Sequence, residues 1–244
     1  MKQLLIYDAP QVLNRDVHRA ARLKPGHLGY GFARSLNSAP ITITEFTAAA
    51  RDYPIVFAGE GDAVSMPAVL TGLAKEANLF VDSEGDWAED HYIPAFFRRY
   101  PFVTGEKGVG QDDFNVCIDA PALTEAEDGI ALFDTDGRNT PVLEHAVGFL
   151  SDYQNSVNQT RTFMSKLREL DLLESKVVRV ERAGAETEVL SGFSVINESK
   201  LQKLSGKTLA QLSRAGVLGL LYVHLMSLGN IQRLSARADR SGRA

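Results

Sequence analysis

The segment from Asn78 to Phe102 concentrates side chains that could bind a ligand. It contains the only tryptophan of the chain and the adjacent residues Arg98 and Arg99. Arginine is planar, pairs with carboxylates through two hydrogen bonds and stacks on aromatic faces, so it suits an anionic or aromatic ligand. The predicted ligand-binding residues are Trp87, Tyr92, Arg98, Arg99 and Tyr100. The alternative, which we favour, is that these side chains pack in a core and the arginines pair with Asp82 or Asp119.

The same segment also carries an enzyme hypothesis, in which the fold gathers dispersed side chains around a deep pocket. The candidates are His91, Tyr92, Arg98 and Arg99 near Asp82. No motif indicates a particular reaction. The chain lacks the phosphate-binding patterns G-x-G-x-x-G and Walker A, and it lacks the G-x-S-x-G of many hydrolases. The catalytic residues therefore stay unassigned.

Metal and cofactor motifs are not recognisable. None of the five histidines has another histidine three or four residues away, the spacing that places two ligands on one helix face. The acidic turn Asp134–Gly137 only partly resembles a calcium loop. The glycine-rich run Gly105–Gly110 lacks the Lys-Ser/Thr pair of a phosphate loop. We predict no metal and no cofactor.

The net charge of −5 disfavours nucleic acid and anionic membranes as partners. Residues Thr208–Leu225 could be aligned with a helix-turn-helix, but the part from Leu218 onward is too apolar to present polar groups to base edges. The longest apolar run, Val217–Leu228, is too short to span a bilayer. We predict no nucleic-acid partner and no membrane span.

We expect a cytoplasmic protein, because the first residues lack the long apolar stretch of a secretory signal. Cys117 is the only cysteine and can form no internal disulfide. It lies in the apolar run Phe114–Ile118, where a free cysteine usually packs as a small hydrophobic residue. The apolar helix near the C-terminus is interpreted as core, with a homodimer face as the alternative.

Short β-type runs between turn residues fill the first half of the chain, a pattern typical of antiparallel sheet. Residues 1–25 show no clear period and are interpreted as an irregular lead-in. The predicted strands are Tyr30–Ala33, Pro40–Thr44, Ile55–Ala58, Val64–Leu73, Asn78–Asp82, Phe114–Asp119 and Ile130–Phe133.

The second half has a helical pattern, interrupted by a hairpin. A long helix is predicted over residues 141–170, because apolar residues recur at helical spacing. The predicted buried stripe consists of Val142, Ala146, Phe149, Val157, Phe163, Leu167 and Leu170. A hairpin through Gly184 and C-terminal helices follow. The glycines at which these helices could break are Gly206, Gly216 and Gly229. The fold class is therefore α+β, with the helices and the hairpin packed against a largely antiparallel sheet in one domain, residues 1–244.

A set of short motifs runs in order along nearly the whole chain. The motifs are Asp52–Phe57 (DYPIVF), Asn78–Asp82 (NLFVD) with Gly85 and Trp87, Tyr92–Ala95 (YIPA), Arg98–Phe102 (RRYPF), Val116–Asp119 (VCID), Leu132-Phe133 before Gly137, and His224–Ile231 (HLMSLGNI). Each is short, but together they are fairly specific. The chain resembles the SapC family of bacterial proteins.

The resemblance implies a bacterial source and either a link to the bacterial surface layer or an accessory role in a small-molecule or peptide pathway. It supplies no catalytic residue set. Our leading hypothesis is a non-catalytic accessory or binding protein that recognises a small molecule, a peptide or a partner enzyme. The alternatives are an enzyme with a dispersed active site and a surface-layer structural protein.

Overall fold

The computed structural model describes residues 6–25, 29–105, 114–180 and 188–241. Within these ranges the named strands pair antiparallel throughout. The strands are β1 (Pro10–Val12), β2 (Arg22–Leu23), β3 (Ser38–Pro40), β4 (Ile55–Ala58), β5 (Pro67–Leu70), β6 (Phe102–Gly105), β7 (Asn115–Asp119), β8 (Leu123–Thr124), β9 (Ile130–Ala131), β10 (Leu173–Val180) and β11 (Glu188–Ile196). The α-helices are α1 (Phe46–Ala49), α2 (Ala95–Arg98), α3 (Pro141–Glu169), α4 (Glu198–Gln202), α5 (Gly206–Arg214), α6 (Val217–Ser227) and α7 (Asn230–Ser241).

The largest sheet combines strands from both halves of the chain in the order β10-β11-β4-β5-β3. The hairpin β10–β11 joins it where Phe193 pairs with Ala58 and Ser194 with Phe57. Two three-stranded sheets have the orders β1-β7-β6 and β8-β2-β9. Helix α6 contacts β4 and β11. The predicted α+β class, with antiparallel strands first and a long helix, a hairpin and further helices later, is confirmed.

Helix α3 begins at Pro141, as predicted, and ends at Glu169, one residue before the predicted end. Proline suits the first helical turn because its missing N–H group would have no partner there. Glu144 in the first turn and Lys166 and Arg168 in the last turn complement the helix dipole. The buried residues of α3 are Leu143, Leu150, Tyr153, Val157, Thr160, Phe163, Met164 and Leu167.

The buried face of α3 differs from the predicted stripe in the first turns of the helix. Val142 is exposed, and Ala146 and Phe149 are only half-buried. Leu143 and Leu150 occupy the core instead. Both sets have helical spacing, so periodicity alone could not choose between them. Because the buried face of α3 is rotated in this way, part of the Phe149 side chain is open to solvent.

Helix α3 also connects the hydrophobic clusters of the protein. Phe163 belongs to the largest cluster, which contains the central sheet, and Leu150 belongs to a second cluster. Tyr153 lies between them along the helix and packs with Ala95 of α2 in a third cluster, against which Phe149 rests. The third cluster therefore joins α2 to the middle of α3.

Several predicted strands are shorter than expected or absent. Tyr30–Ala33 contains a 3-10 turn, and Pro40–Thr44 contributes only its first residue to β3. In Asn78–Asp82 only Val81 forms a β-bridge, with Trp87. The lead-in, predicted to be irregular, supplies β1 and β2. The predicted hairpin turn at Gly184 and all but the first residue of the glycine-rich run lie outside the described residues.

The C-terminal helices break at the predicted glycines. Gly206 is the first residue of α5, Gly216 precedes α6 with a left-handed φ of 71°, and Gly229 separates α6 from α7. Helix α6 exposes Tyr222 and Met226. No single helix in the described ranges is long and apolar enough to cross a bilayer. The segments Gly206–Arg214 and Val217–Arg240 pass that test only as a pair, which is bent by 91°.

Candidate ligand-binding site

A short turn before α1 places the carboxylate of Glu45 inside the protein. Glu45 ends the 3-10 turn Ile43–Glu45 and is 5% exposed. Its Oε2 accepts hydrogen bonds from the amide of Thr42 at 2.8 Å and from the hydroxyl of Thr42 at 2.9 Å. The turn is fixed to α3, since the amide of Ile43 donates to the hydroxyl of Thr160 across 3.0 Å. This Thr-x-x-Glu capping box therefore holds the carboxylate in one position.

The other oxygen of Glu45 reaches the aromatic segment. Oε1 accepts hydrogen bonds from the hydroxyl of Tyr92 at 3.0 Å and from the amide of Ala95 at 2.8 Å. Two donors on each oxygen is the pattern of an ionised carboxylate, and it occupies the main acceptor positions of the group. These hydrogen bonds compensate for the burial of the charge, because no lysine or arginine in the described ranges forms an ion pair with Glu45.

Arg98, the last residue of α2, is exposed but held in place. Its Nε donates to the carbonyl of Ile93 at 2.9 Å, and its Nη2 donates to the hydroxyl of Tyr92 at 3.1 Å. Its guanidinium carbon lies 5.3 Å from the ring centre of Phe149 and 5.6 Å from that of Tyr92. No carboxylate in the described part of the chain forms an ion pair with Arg98. Two of its five N–H groups make these bonds, and the other three have no acceptor among the described residues, so they can meet a ligand.

Tyr92 connects this cation to the buried carboxylate. Its hydroxyl accepts a hydrogen bond from Arg98 and donates one to Glu45. Burial, followed by the negative charge of Glu45, raises the pKa of Tyr92 to about 12 against the opposing effect of Arg98. Tyr92 is therefore protonated at neutral pH. It acts as a hydrogen-bonding group and is a poor general base.

A cavity of about 270 Å³ opens beside these side chains. Helix α3 contributes Phe149, Asp152, Tyr153 and Ser156, which share one helix face because they follow the spacing i, i+3, i+4 and i+7. Asp152 is exposed and forms no hydrogen bond or ion pair with any described residue. The lining residues are Thr42, Thr44, Glu45, Tyr92, Ala95, Arg98, Phe149, Asp152, Tyr153 and Ser156.

Trp87 does not line the cavity but is linked to its wall. The indole N–H donates to the hydroxyl of Tyr53 at 3.2 Å, and that hydroxyl donates to the carbonyl of Tyr92 at 2.5 Å. The indole ring packs against Phe97 and Phe80, with ring centres 5.3 Å and 6.3 Å away. Trp87 is therefore joined to the backbone of Tyr92 through the hydroxyl of Tyr53.

Arg99 and Tyr100 also lie outside the cavity lining. Arg99 is 3% exposed, and its guanidinium lies 4.6 Å from the ring centre of Phe96 and 5.1 Å from that of Tyr153. The hydroxyl of Tyr100 donates to the buried carboxylate of Asp119 at 3.2 Å. Burial, together with the charge of Asp119, raises the pKa of Tyr100 to about 12. Both residues support the surrounding core.

The structure thus brings Tyr92 and Arg98 together at one cavity and leaves the other three predicted ligand-binding residues outside its lining. Glu45, Phe149 and Asp152 were not predicted. The Thr-x-x-Glu pattern before a helical turn could have identified Glu45. Nothing in the local sequence indicates that the α3 residues face α2.

Two candidates of the enzyme hypothesis do not join this cavity. The carboxylate of Asp82 accepts hydrogen bonds from the amides of Glu84 and Asp86 at 2.9 Å in an exposed turn, and the bond from Asp86 contributes most to lowering its pKa. The ring of His91 packs against Phe80 at 5.2 Å. The described residues also contain no cluster of three His, Cys, Asp or Glu that could hold a metal.

Three larger depressions carry less chemistry. The first, of about 710 Å³, has Arg15, Asp16 and Arg138 in its wall, and all three are exposed. The second, of about 600 Å³, is more apolar and lies between α3 and the helices α5 and α6. The third, of about 520 Å³, has the exposed Arg179 as its charged lining residue. None of the three contains a buried charged side chain among its lining residues. The smaller cavity beside Glu45 is therefore the candidate site.

A family model described as SapC matches residues 13–234 of the chain. The matched region includes every residue that lines the candidate cavity. No curated protein and no solved structure matches the chain.

Proposed function

Because the chain belongs to the SapC family over residues 13–234, we propose that it is a non-catalytic accessory protein that binds a ligand in the Glu45–Tyr92–Arg98 cavity. The ligand class that we propose is a small molecule, or the end of a peptide, that carries a carboxylate. In its accessory role the protein delivers this ligand to a partner enzyme or shields it.

The observation that carries the proposal is the state of Arg98. Its guanidinium is oriented by two hydrogen bonds and lies near two aromatic rings, yet no carboxylate of the described chain neutralises it. An arginine that is already oriented loses less conformational entropy when it pairs with a carboxylate. The protein thus provides an oriented cation on a cavity wall that forms no ion pair with any described residue.

The surrounding groups support binding better than catalysis. Both oxygens of Glu45 already accept two hydrogen bonds, so this carboxylate has little capacity left to take a proton from a substrate. Tyr92, with a raised pKa, keeps its proton. A general base needs a pKa near the working pH. The role that we propose for the Glu45–Tyr92 pair is to position Arg98.

The proposal can be tested with the only tryptophan as a reporter. Purified protein would be titrated with a library of small carboxylic acids, dicarboxylic acids, amino acids and short peptides while Trp87 fluorescence and the melting temperature are recorded. Arg98→Gln removes the cation. Arg161→Gln is the matched control, because Arg161 is exposed on α3 and its side chain hydrogen-bonds, among the described residues, only to Asn158 on the same helix.

We expect at least one class of carboxylate to change the fluorescence and raise the melting temperature of the wild type and of Arg161→Gln. Arg98→Gln should keep its fold and lose at least about tenfold in affinity, since a charge-assisted hydrogen bond to the ligand is lost. The proposal is wrong if no carboxylate binds, or if Arg98→Gln binds as tightly as the control.

A further inference from the structure

The cavity contains a second charge of opposite sign. Asp152 lines the same space as Arg98, yet the two do not form an ion pair. Asp152 also forms no other polar contact with a described residue. A cation and an anion on one cavity, neither in an ion pair with a described residue, can each bind an oppositely charged group of a ligand.

The α3 face fixes how these charges are arranged. Arg98 lies over the Phe149 ring at 5.3 Å, and Asp152 follows Phe149 by three residues on the same helix face. Side chains three residues apart on a helix are neighbours, with Cβ atoms about 5–6 Å apart. Asp152 is therefore a direct neighbour, on the surface of α3, of the Phe149 ring against which Arg98 lies. Glu45 adds a second negative charge behind Tyr92.

The neighbouring groups suit a compact ligand with both polar and apolar parts. Phe149 and Tyr92 provide aromatic surface, and Ser156 and Thr44 provide hydroxyl groups. The volume of about 270 Å³ lies just below the usual range of cavities for drug-sized ligands, about 300–1,000 Å³. A long anionic chain does not fit this description, whereas a small molecule with both charges does.

We propose that the ligand is a small zwitterion of the α-amino-acid type, whose carboxylate pairs with Arg98 and whose ammonium group pairs with Asp152. This inference rests on the proposed function, because it uses the same cavity and the same arginine. It adds that the protein recognises the ammonium group as well as the carboxylate. Asp152 is then a specificity residue, and the apolar side chain of the ligand lies against Phe149.

The test uses matched ligands that differ in one charge. The free L-amino acids are screened by melting temperature. Those that bind are compared by calorimetry with their N-acetyl derivatives, which lack the ammonium group, and with their amides, which lack the carboxylate. The variants are Asp152→Asn, Arg98→Gln and the control Asp128→Asn, in which an exposed aspartate outside the cavity is changed.

We expect the wild type and Asp128→Asn to bind a free amino acid at least about tenfold more tightly than either derivative. Asp152→Asn should bind the free and the N-acetyl form equally, and Arg98→Gln should no longer distinguish the free form from the amide. Equal binding of free and N-acetyl forms by the wild type, with loss of both in Arg98→Gln, would overturn the zwitterion and leave the proposed function intact. Failure of every free amino acid to bind, while other carboxylates bind, would do the same. Failure of all carboxylates would reject both proposals.

Discussion

The hydroxyl of Tyr92 donates a hydrogen bond of 3.0 Å to Oε1 of Glu45, which joins residues that are 47 positions apart in the chain. The same hydroxyl accepts a hydrogen bond from Arg98. A buried carboxylate, a phenol and an exposed guanidinium are therefore joined by two consecutive hydrogen bonds. Because each member holds the next, the orientation of Arg98 depends on a residue that lies almost entirely out of contact with solvent.

Removing the phenol should destabilise the protein. Tyr92→Phe leaves the buried carboxylate of Glu45 with one donor fewer, so we expect the free energy of unfolding in urea to fall by about 1–3 kcal/mol. Tyr222→Phe is the control, because Tyr222 is 46% exposed, and it should change stability little. In a double-mutant cycle with Glu45→Gln, the two changes should be non-additive. Equal stability of the two tyrosine variants would show that the hydrogen bond between Tyr92 and Glu45 contributes nothing to the free energy of unfolding.

Two glycines should respond in opposite directions to alanine. Gly85 has a φ of +94°, and a Cβ there would lie 3.2 Å from the amide nitrogen of Gly31. Gly85→Ala should therefore lower the free energy of unfolding by more than about 1 kcal/mol. Gly148 lies inside α3, and a Cβ added there would have no atom within 4 Å, so Gly148→Ala should raise it by about 0.5–1 kcal/mol. Urea denaturation of both variants measures the contrast, and effects of the same sign would contradict it.

Acid should destabilise the fold through His224. This residue is fully buried, and burial lowers its pKa from 6.5 to about 3. Its Nε2 accepts a hydrogen bond from the amide of Ile196 at 3.1 Å, so the proton sits on Nδ1 in the neutral ring. The unfolded chain binds a second proton below about pH 6.5, whereas the folded chain does not until about pH 3. Stability should therefore fall as the pH drops through this window, by up to about 1.4 kcal/mol per pH unit.

The contribution of His224 can be isolated by urea denaturation between about pH 7.5 and pH 5, a range that spans the ordinary pKa of histidine. His224→Gln keeps a side-chain acceptor for Ile196 but has no group that titrates in this range. Near pH 5, the slope of its unfolding free energy against pH should be smaller than that of the wild type by the contribution of about one proton. His145→Gln, a change at an exposed position, should retain the slope of the wild type. Parallel curves for wild type and His224→Gln would refute the assignment.

Cys117 should react slowly in the folded protein. Its side chain is buried beside Gly105, and burial raises the pKa of the thiol, which lowers the fraction of reactive thiolate. We expect Ellman's reagent to modify it many times faster in urea than in buffer. The control places a thiol at an exposed position, Met226→Cys in a Cys117→Ser background. A native Cys117 that reacts as fast as this control would contradict the prediction.

The elements that the sequence predicts well are those whose local signals agree. Pro141 and a helical apolar period define α3, and the strand Ile55–Ala58 has the predicted bounds. The prediction of a strand at Asn78–Asp82 was wrong because of contacts with a distant part of the chain. The side chain of Asn78 donates to the carbonyl of Ala33 at 3.1 Å and accepts from the amide of Phe80 at 2.9 Å, so it holds a loop conformation. Apolar composition alone does not reveal such bonds.

Two residues of the candidate site were predicted from the sequence, whereas Glu45, Phe149 and Asp152 were not. Tyr92 and Arg98 belong to a conspicuous aromatic and basic cluster, and both line the cavity. Phe149 and Asp152 look like ordinary helix residues, and their role depends on α3 meeting α2 in the third cluster. The rotation of α3 relative to the predicted stripe also decides which residues face that space. Such rotation is set by packing between distant segments and leaves no local signal.

Helix α3 anchors one wall of the cavity at both of its ends. This helix is 29 residues long, or about 44 Å, and its two ends are embedded in different hydrophobic clusters. The face with Phe149 and Asp152 lies near the middle of the helix. The opposite wall contains α2, whose residues Ala95, Phe96 and Phe97 are buried. Because both walls rest on packed helices, the width of the cavity should set an upper limit on the size of the ligand.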